Sequence, residues 1–205
     1  GPVLLVEAAD CAGGGAAGDS VHSLRALLEA RVGEPFLAPV VDPAAAALCW
    51  QAGVGAQVRC ALGFSIDPRW GTPLAVEGRV EALSEGRFRY GGGVWEGQEG
   101  NMGRSALLQV GAGRVLVTTH SSYDWADEQY ASLGLDVRKF KFVVVKNPMN
   151  YRLGYGAVAR AALILDTPGP TPATLRHVRY ERMQRPYFPL DPEIAGLAPR
   201  VWLRG

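Results

Sequence analysis

Lysine is scarce in this sequence: of its 21 basic residues, 3 are Lys and 18 are Arg. That bias fits a GC-rich bacterial coding sequence and says nothing of function. The basic residues face 20 acidic ones, for a net charge of +1. No global field therefore draws the chain to nucleic acid or to an anionic membrane. Histidine is almost absent. His22, His120 and His177 stand alone, with no HxH or HExxH. A catalytic zinc needs about three protein ligands, so this spacing offers no metal centre, and each His reads as an ordinary surface or partly buried residue. Cysteine is limited to Cys11, Cys49 and Cys60. An odd count without CxxC excludes a disulfide framework and a zinc knuckle, and leaves reduced thiols in a cytoplasmic protein. No apolar run reaches the roughly 18 residues of a membrane span. The first residues lack a signal peptide's basic and hydrophobic regions. They also lack an initiator Met and open directly into a strand, so the chain is expected to be a piece of something longer.

Glycine, by contrast, is abundant, at 26 of 205 residues, and predicts many turns. The length suits one α/β domain over 1–185, with a mixed, partly parallel sheet, flanking helices and an irregular Pro-rich tail over 186–205. The tail, with Pro186, Pro189, Pro192 and Pro199, is expected to pack on the domain or on a partner. Val3 to Val6 is a continuous apolar run and predicts a strand buried on both faces. Asp19 or Ser20 is placed to cap a helix carrying Val21, Leu24, Leu27 and Leu28 on one face, with Gly33 ending it. Phe36 to Val41 predicts a strand. Asp42-Pro43 is a helix start, with Asp at the cap and Pro in the first turn. Val58, Cys60 and Leu62, then Leu74, Val76 and Val80, alternate with polar residues as half-exposed strands do. Gly86 to Gly103 reads as a long loop or irregular hairpin around Trp95. Two strands flank Gly111-Ala112-Gly113 as a hairpin. Trp125 to Leu133 and Tyr151 to Ala161 read as helices, and Phe142 to Val145 and Leu163 to Leu165 as strands.

The loop from Gly13 to Gly18 carries the chemistry, and it has three readings. Gly13, Gly15 and Gly18 fit GxGxxG after a strand, with Asp42 as the distal acid of a dinucleotide site. Against this, Ala9 to Ala12 separate the strand from the first glycine, and Asp42 already serves as a helix cap. The same residues nearly form a P-loop, but Asp19 stands where Lys is needed and would repel phosphate. The third reading rests on Asp10 and Asp19, which bracket a stretch of bare backbone open to a ligand.

Glu7 to Asp19 resembles the signature loop of the C-terminal domain of the MlrC (microcystinase C-like) metallopeptidases, Asp-Asn-Pro-Gly-Gly-Gly-x-x-Gly-Asp. Cys11-Ala12 replaces its Asn-Pro. Further elements follow in order: Asp42-Pro43 with its Ala-rich helix, Leu133 to Asp136, Val143 to Lys146, Tyr151-Arg152, Asp166 to Gly169, and Arg185-Pro186 to Asp191. Asn147 replaces a Ser, and Asn150 stands where His is common. The resemblance spans about residues 3 to 191. It implies zinc-dependent hydrolysis of peptide or amide bonds, with zinc held on an N-terminal domain and no cofactor in this chain. The partners it implies are that domain, in cis or in trans, and a peptide-like substrate, with neither nucleic acid nor membrane. This chain alone is then expected to be inactive. Asp10, Gly13, Gly14, Gly15, Gly18, Asp19, Lys146 and Arg152 become the expected lining of the substrate cleft, with glycine N–H groups facing a peptide carbonyl and Lys146 a carboxylate. Two other functions remain: a nucleotide-binding enzyme domain using Gly13 to Gly18, and a binding module without catalysis. His120, Ser121, Ser122 and Asp124 are adjacent in sequence, which rarely yields triad geometry.

Overall fold

The computed structural model describes residues 1–175, 178–194, 196 and 201–202; His177 and Pro199 lie outside the described residues. The core is an eight-stranded sheet in the order β10-β1-β9-β2-β8-β7-β4-β3. These strands are β1 (Val3–Glu7), β2 (Phe36–Val41), β3 (Gln57–Leu62), β4 (Leu74–Ser84), β7 (Ser105–Val110), β8 (Gly113–Thr118), β9 (Phe142–Val145) and β10 (Ala161–Leu165). From β10 to β8 all neighbours run parallel; from β8 to β3 all run antiparallel. The expected mixed sheet is therefore two half-sheets joined at β8. A separate hairpin, β5 (Arg87–Arg89) with β6 (Glu99–Asn101), occupies the glycine-rich stretch around Trp95.

Among the described residues, four α-helices flank the sheet: α1 (His22–Glu29), α2 (Pro43–Ala52), α3 (Glu128–Ala131) and α4 (Tyr151–Gly154). Leu24 and Leu27 of α1 and Ala45, Ala46 and Cys49 of α2 pack with Phe36, Val40, Val117 and Val144 on one face. Leu4, Val6, Leu116, Val143 and Val145 point to the other face, against Tyr130, Tyr151, Tyr155 and Phe140. The alternation of inward residues on central strands follows from the two-residue strand period.

The cap of α2 matches the sequence expectation. Asp42 Oδ1 accepts from Ala45 N at 3.0 Å, and Pro43 occupies the first turn. The cap of α1 matches only in part. Val21 holds the cap position without a side-chain bond, and Ser20 Oγ, which donates to Glu7, accepts from His22 N at 3.3 Å; Asp19 is engaged with Ile66 and Asp67 and does not cap the helix. Nor does Gly33 end the helix. Arg31 takes the left-handed conformation at φ 50, and Val32 N bonds back to Leu27 O at 3.1 Å. The stretches 125–133 and 151–161 hold only the four-residue helices α3 and α4. Gly154 and Gly156 weaken helix propensity, and Ala161 is drawn into β10, where it pairs with Val3.

One residue shapes the centre of the sheet. Val41 and Asp42 donate backbone bonds to opposite sides, Val41 to Gly18 O and Asp42 to Thr118 O on the β8 side. By alternation, Pro39 stands on the β9 side, where it has no N–H to give. Pairing of β2 with β9 stops at Leu37–Val143. The seam opens there, and the glycine loop fills it.

Candidate functional site

The carboxyl ends of four parallel strands meet at this opening. β1 leads to Asp10, β2 to Asp42, β8 to Ser121, Ser122 and Asp124, and β9 to Lys146. Open α/β sheets place ligand sites at such ends. After β1 the chain makes two short 3-10 turns, Ala8–Asp10 and Ala12–Gly14.

The loop is held from within and from four directions. Asp10 Oδ1 accepts from Gly18 N at 2.8 Å, and Asp10 Oδ2 from Ser20 N at 2.7 Å. Lys146 Nζ donates to Asp10 Oδ2 and Gly18 O, both at 2.8 Å, and to Ser20 O at 2.9 Å. An ammonium has three protons, and all three are used. Asp19 Oδ2 accepts from Ile66 N and Asp67 N at 2.8 Å, tying the loop to the segment after β3. Buried Glu7 accepts from the hydroxyls of Ser20 and Ser23. Thr171 donates to Ala8 O at 2.8 Å and accepts from Cys11 N at 3.1 Å.

These bonds change the expected roles. Lys146 is a buried clamp that holds the loop, and it presents no cation to a substrate carboxylate. The N–H groups of Gly14 and Ala16 go to Cys11 O, that of Gly15 to Ala12 O, and that of Gly18 to Asp10. The N–H groups of Gly14, Gly15, Ala16 and Gly18 are thus engaged within the loop, where the nucleotide-binding reading of Gly13 to Gly18 would have them face a phosphate. Cys11 N and O serve as the loop's closing bonds, so the loop holds its turn without the Asn-Pro of the signature.

Two hollows adjoin the loop. A cavity of about 30 Å³ lies at the β2–β9 opening, between Asp10, Val41, Thr118, Asp124, Gln129 and Lys146. It is large enough for a water molecule. Burial pushes the Asp124 carboxyl up to about 7, reinforced by the Glu128 charge and opposed by the Lys146 N–H, which donates to Asp124 Oδ2 at 2.9 Å. Beside it runs an open groove of about 790 Å³. Gly13, Gly15 and Ala16 form one side, the hairpin with Tyr90, Trp95 and Asn101 the other, and Ser121, Ser122 and Tyr123 the floor. Gly13 is required there, since a Cβ would meet the Tyr123 ring at 2.8 Å.

Asp10, Gly18, Asp19 and Lys146 thus meet as a scaffold, and Gly13 and Gly15 face the groove. Gly14 packs against Thr171, where a Cβ would lie 2.7 Å from Cγ2. Arg152 is not brought to this site. It lies on α4 over the Tyr151 ring, at 4.9 Å, beside a different hollow near the start of β10. Sequence reasoning passed over Tyr90, Tyr123 and Gln129. Tyr90 has as its local signal only an aromatic residue in a glycine-rich stretch, and Tyr123 and Gln129 have none. His120, Ser121 and Asp124 form no triad, since Asp124 accepts from the Lys146 backbone and His120 is exposed. His22 Nε2 lies 3.0 Å from Trp70 O. Among the described residues, no three His, Cys, Asp or Glu form a group that could hold a metal.

The family model described as MlrC C-terminus matches residues 5–182. The chain belongs to the MlrC C-terminal family. It is 27% identical to Microcystinase C of Sphingomonas sp over 191 residues, which is 93% of this chain and 36% of that protein. The crystal structure of a candidate metallopeptidase from Mesorhizobium sp. BNC1 superposes with a TM-score of 0.83 at 29% identity, covering 96% of this chain and 39% of that one. This MlrC C-terminal domain therefore spans well under half the length of either relative. Among the described residues no helix is long and apolar enough to cross a membrane.

Proposed function

We propose that this chain is the C-terminal domain of a zinc-dependent peptide or amide hydrolase, in which it packs on a zinc-bearing N-terminal domain and supplies one wall of the substrate cleft. The observation that carries the reading is the groove of about 790 Å³ beside the signature loop. Clefts between domains are common ligand sites, and this one combines aromatic side chains with a few polar groups. The metallopeptidase relative and the fractional coverage support a larger parent protein. Among the described residues no group fits zinc, so no hydrolytic step is assigned to them.

Its own residues bind and position. Tyr90, Trp95 and Tyr123 offer apolar surface to a peptide-like substrate, while Asn101, Ser121 and Ser122 offer hydrogen bonds. Asp10, Asp19 and Lys146 act one layer below, by holding Gly13 and Gly15 at the groove. The unpaired thiols of Cys11, Cys49 and Cys60 suit a cytoplasmic setting.

The test is metal content and peptide hydrolysis of the purified chain after dialysis. The expected result is near-zero zinc and no turnover. One tightly held zinc per chain, or hydrolysis by the chain alone, overturns the reading. In the longer polypeptide, Trp95→Ala is expected to raise KM for peptide with little change in melting temperature; an unchanged KM removes the groove from the site.

A further inference from the structure

Lys146 and the N–H groups of Gly14, Gly15, Ala16 and Gly18 are engaged in holding the loop. Among the described residues no Lys or Arg lines the groove beside it, and its one carboxylate, Glu99, pairs with Arg87 at 2.5 Å. Two hydroxyls on the groove floor are in a different state. Ser122 Oγ accepts from Gln129 Nε2 at 3.0 Å, and the same Nε2 donates to Tyr123 O at 3.2 Å. A backbone carbonyl can only accept. It therefore fixes which end of the buried Gln129 amide faces the floor, and makes Ser122 Oγ the acceptor. Tyr123 repeats the pattern: its hydroxyl accepts from Asn150 Nδ2. Asn150 is held in turn by Asn147, whose Oδ1 accepts from Asn150 N at 2.9 Å and whose Nδ2 donates to Asp124 O at 2.5 Å. A hydroxyl carries one proton besides its lone pairs. Where an amide donates to it from behind, that proton stays available, and no described residue takes it from Ser122 or from Tyr123.

We propose that the hydroxyls of Ser122 and Tyr123 donate to backbone carbonyl oxygens of the bound substrate segment, with Gln129 and Asn150 as the positioning residues behind them. The inference rests on the groove being the substrate site. Ser122 lines both the groove and the small cavity, so it stands where the two meet. Tyr123 lies against Gly13, where its ring leaves no room for a Cβ. Serine carries its hydroxyl on Cβ and tyrosine at the far end of a ring, so these consecutive residues offer two separate donors along the floor. That suits successive carbonyls of an extended peptide. The lining also selects the acceptor. A peptide carbonyl takes a hydrogen bond without charge, which matches a floor with no cation beside it. A carboxylate there loses water with no counter-charge, and Lys146 beneath the loop has no proton left to give. The two hydroxyls thus take the part first expected of the glycine N–H groups.

The test is the Kd of a capped, uncharged peptide, acetyl-Ala-Phe-Ala-Ala amide, for the longer polypeptide, measured by titration calorimetry. Ser122→Ala and Tyr123→Phe each lose one neutral hydrogen bond and are expected to weaken binding about three- to tenfold. Asn150→Asp replaces a donor by an acceptor-only carboxylate and turns the Tyr123 proton back toward itself. It is expected to weaken binding as Tyr123→Phe does, and to add nothing on top of that variant. Gln129→Glu does the same to Ser122. Gln129 is buried and Asn150 half-buried, so Asn150→Asp keeps the test open if Gln129→Glu fails to fold. A lower melting temperature for Asn150→Asp with an unchanged Kd is the mark of a purely structural residue and overturns the proposal. So does peptide binding at the parent's Kd by both Ser122→Ala and Tyr123→Phe while Trp95→Ala weakens it; the groove then remains the site and its donors lie elsewhere. If Trp95→Ala also binds as the parent does, or the parent does not bind the peptide, the groove reading itself fails and the proposal falls with it.

Discussion

Lys146 Nζ lies 2.8 Å from Asp10 Oδ2, and both side chains are buried beneath the glycine loop. The pair joins the end of β9 to the end of β1, beside the opening that Pro39 leaves between β9 and β2. Lys146→Met removes the cation and strands a buried carboxylate, at an expected cost of about 3–5 kcal/mol. Pairing it with Asp10→Asn is expected to recover part of that loss. Urea denaturation of the two single variants and the double variant measures the coupling; additive losses would show that the two groups do not act as a unit.

Asp124 predicts a pH dependence with a definite sign. Burial lifts its carboxyl from the ordinary 3.8 to about 7 in the folded chain. Between about pH 4 and pH 7 the folded state keeps a proton that the unfolded state has released. Stability due to this group therefore falls as the pH rises through that window, by at most about 1.4 kcal/mol per unit, and is flat above it. Asp124→Asn is expected to remove that slope. Parallel slopes for parent and variant in denaturation from pH 4 to 8 would refute the assignment.

Two glycines of the loop separate backbone strain from crowding. Gly15 has φ 90 with nothing near its missing Cβ, so Gly15→Ala should cost about 1 kcal/mol. Gly18 has φ 80, and a Cβ there would lie 2.7 Å from Val41 Cγ2. Gly18→Ala should therefore cost more, roughly 2–4 kcal/mol. Equal losses in thermal melting would contradict the packing at Val41.

Thr171 fastens the segment after β10 to the base of the loop through Ala8 O and Cys11 N. Thr171→Val keeps the shape and loses both bonds, and is expected to cost about 1–3 kcal/mol. Thr171→Ser should be milder, because it retains the hydroxyl. A valine variant as stable as the parent would show that the clasp contributes nothing.

The sequence by itself determined the local elements whose cause is local. The apolar run of Val3 to Val6 makes a buried strand at any position in a parallel sheet. Asp42-Pro43 starts α2 because a carboxylate can reach the third amide and Pro loses no bond in the first turn. Val58, Cys60 and Leu62 alternate because one face of β3 is buried. The signature loop was likewise readable as a unit from its glycines and flanking Asp residues. Tertiary structure decided what those Asp residues do. Asp19 reads as a cap, yet Ile66 and Asp67 sit where their N–H groups reach it first. Lys146 reads as a strand-end cation, yet its partners lie more than a hundred residues away, at Asp10, Gly18 and Ser20. Glu7, buried under Ser20 and Ser23, carries no sequence signal at all. Short-range propensity fixes a cap or a strand because the competing states are local too. The protonation of Asp124, the opening beside Pro39 and the groove under Trp95 depend on which strands become neighbours, and that is settled only when the whole sheet assembles.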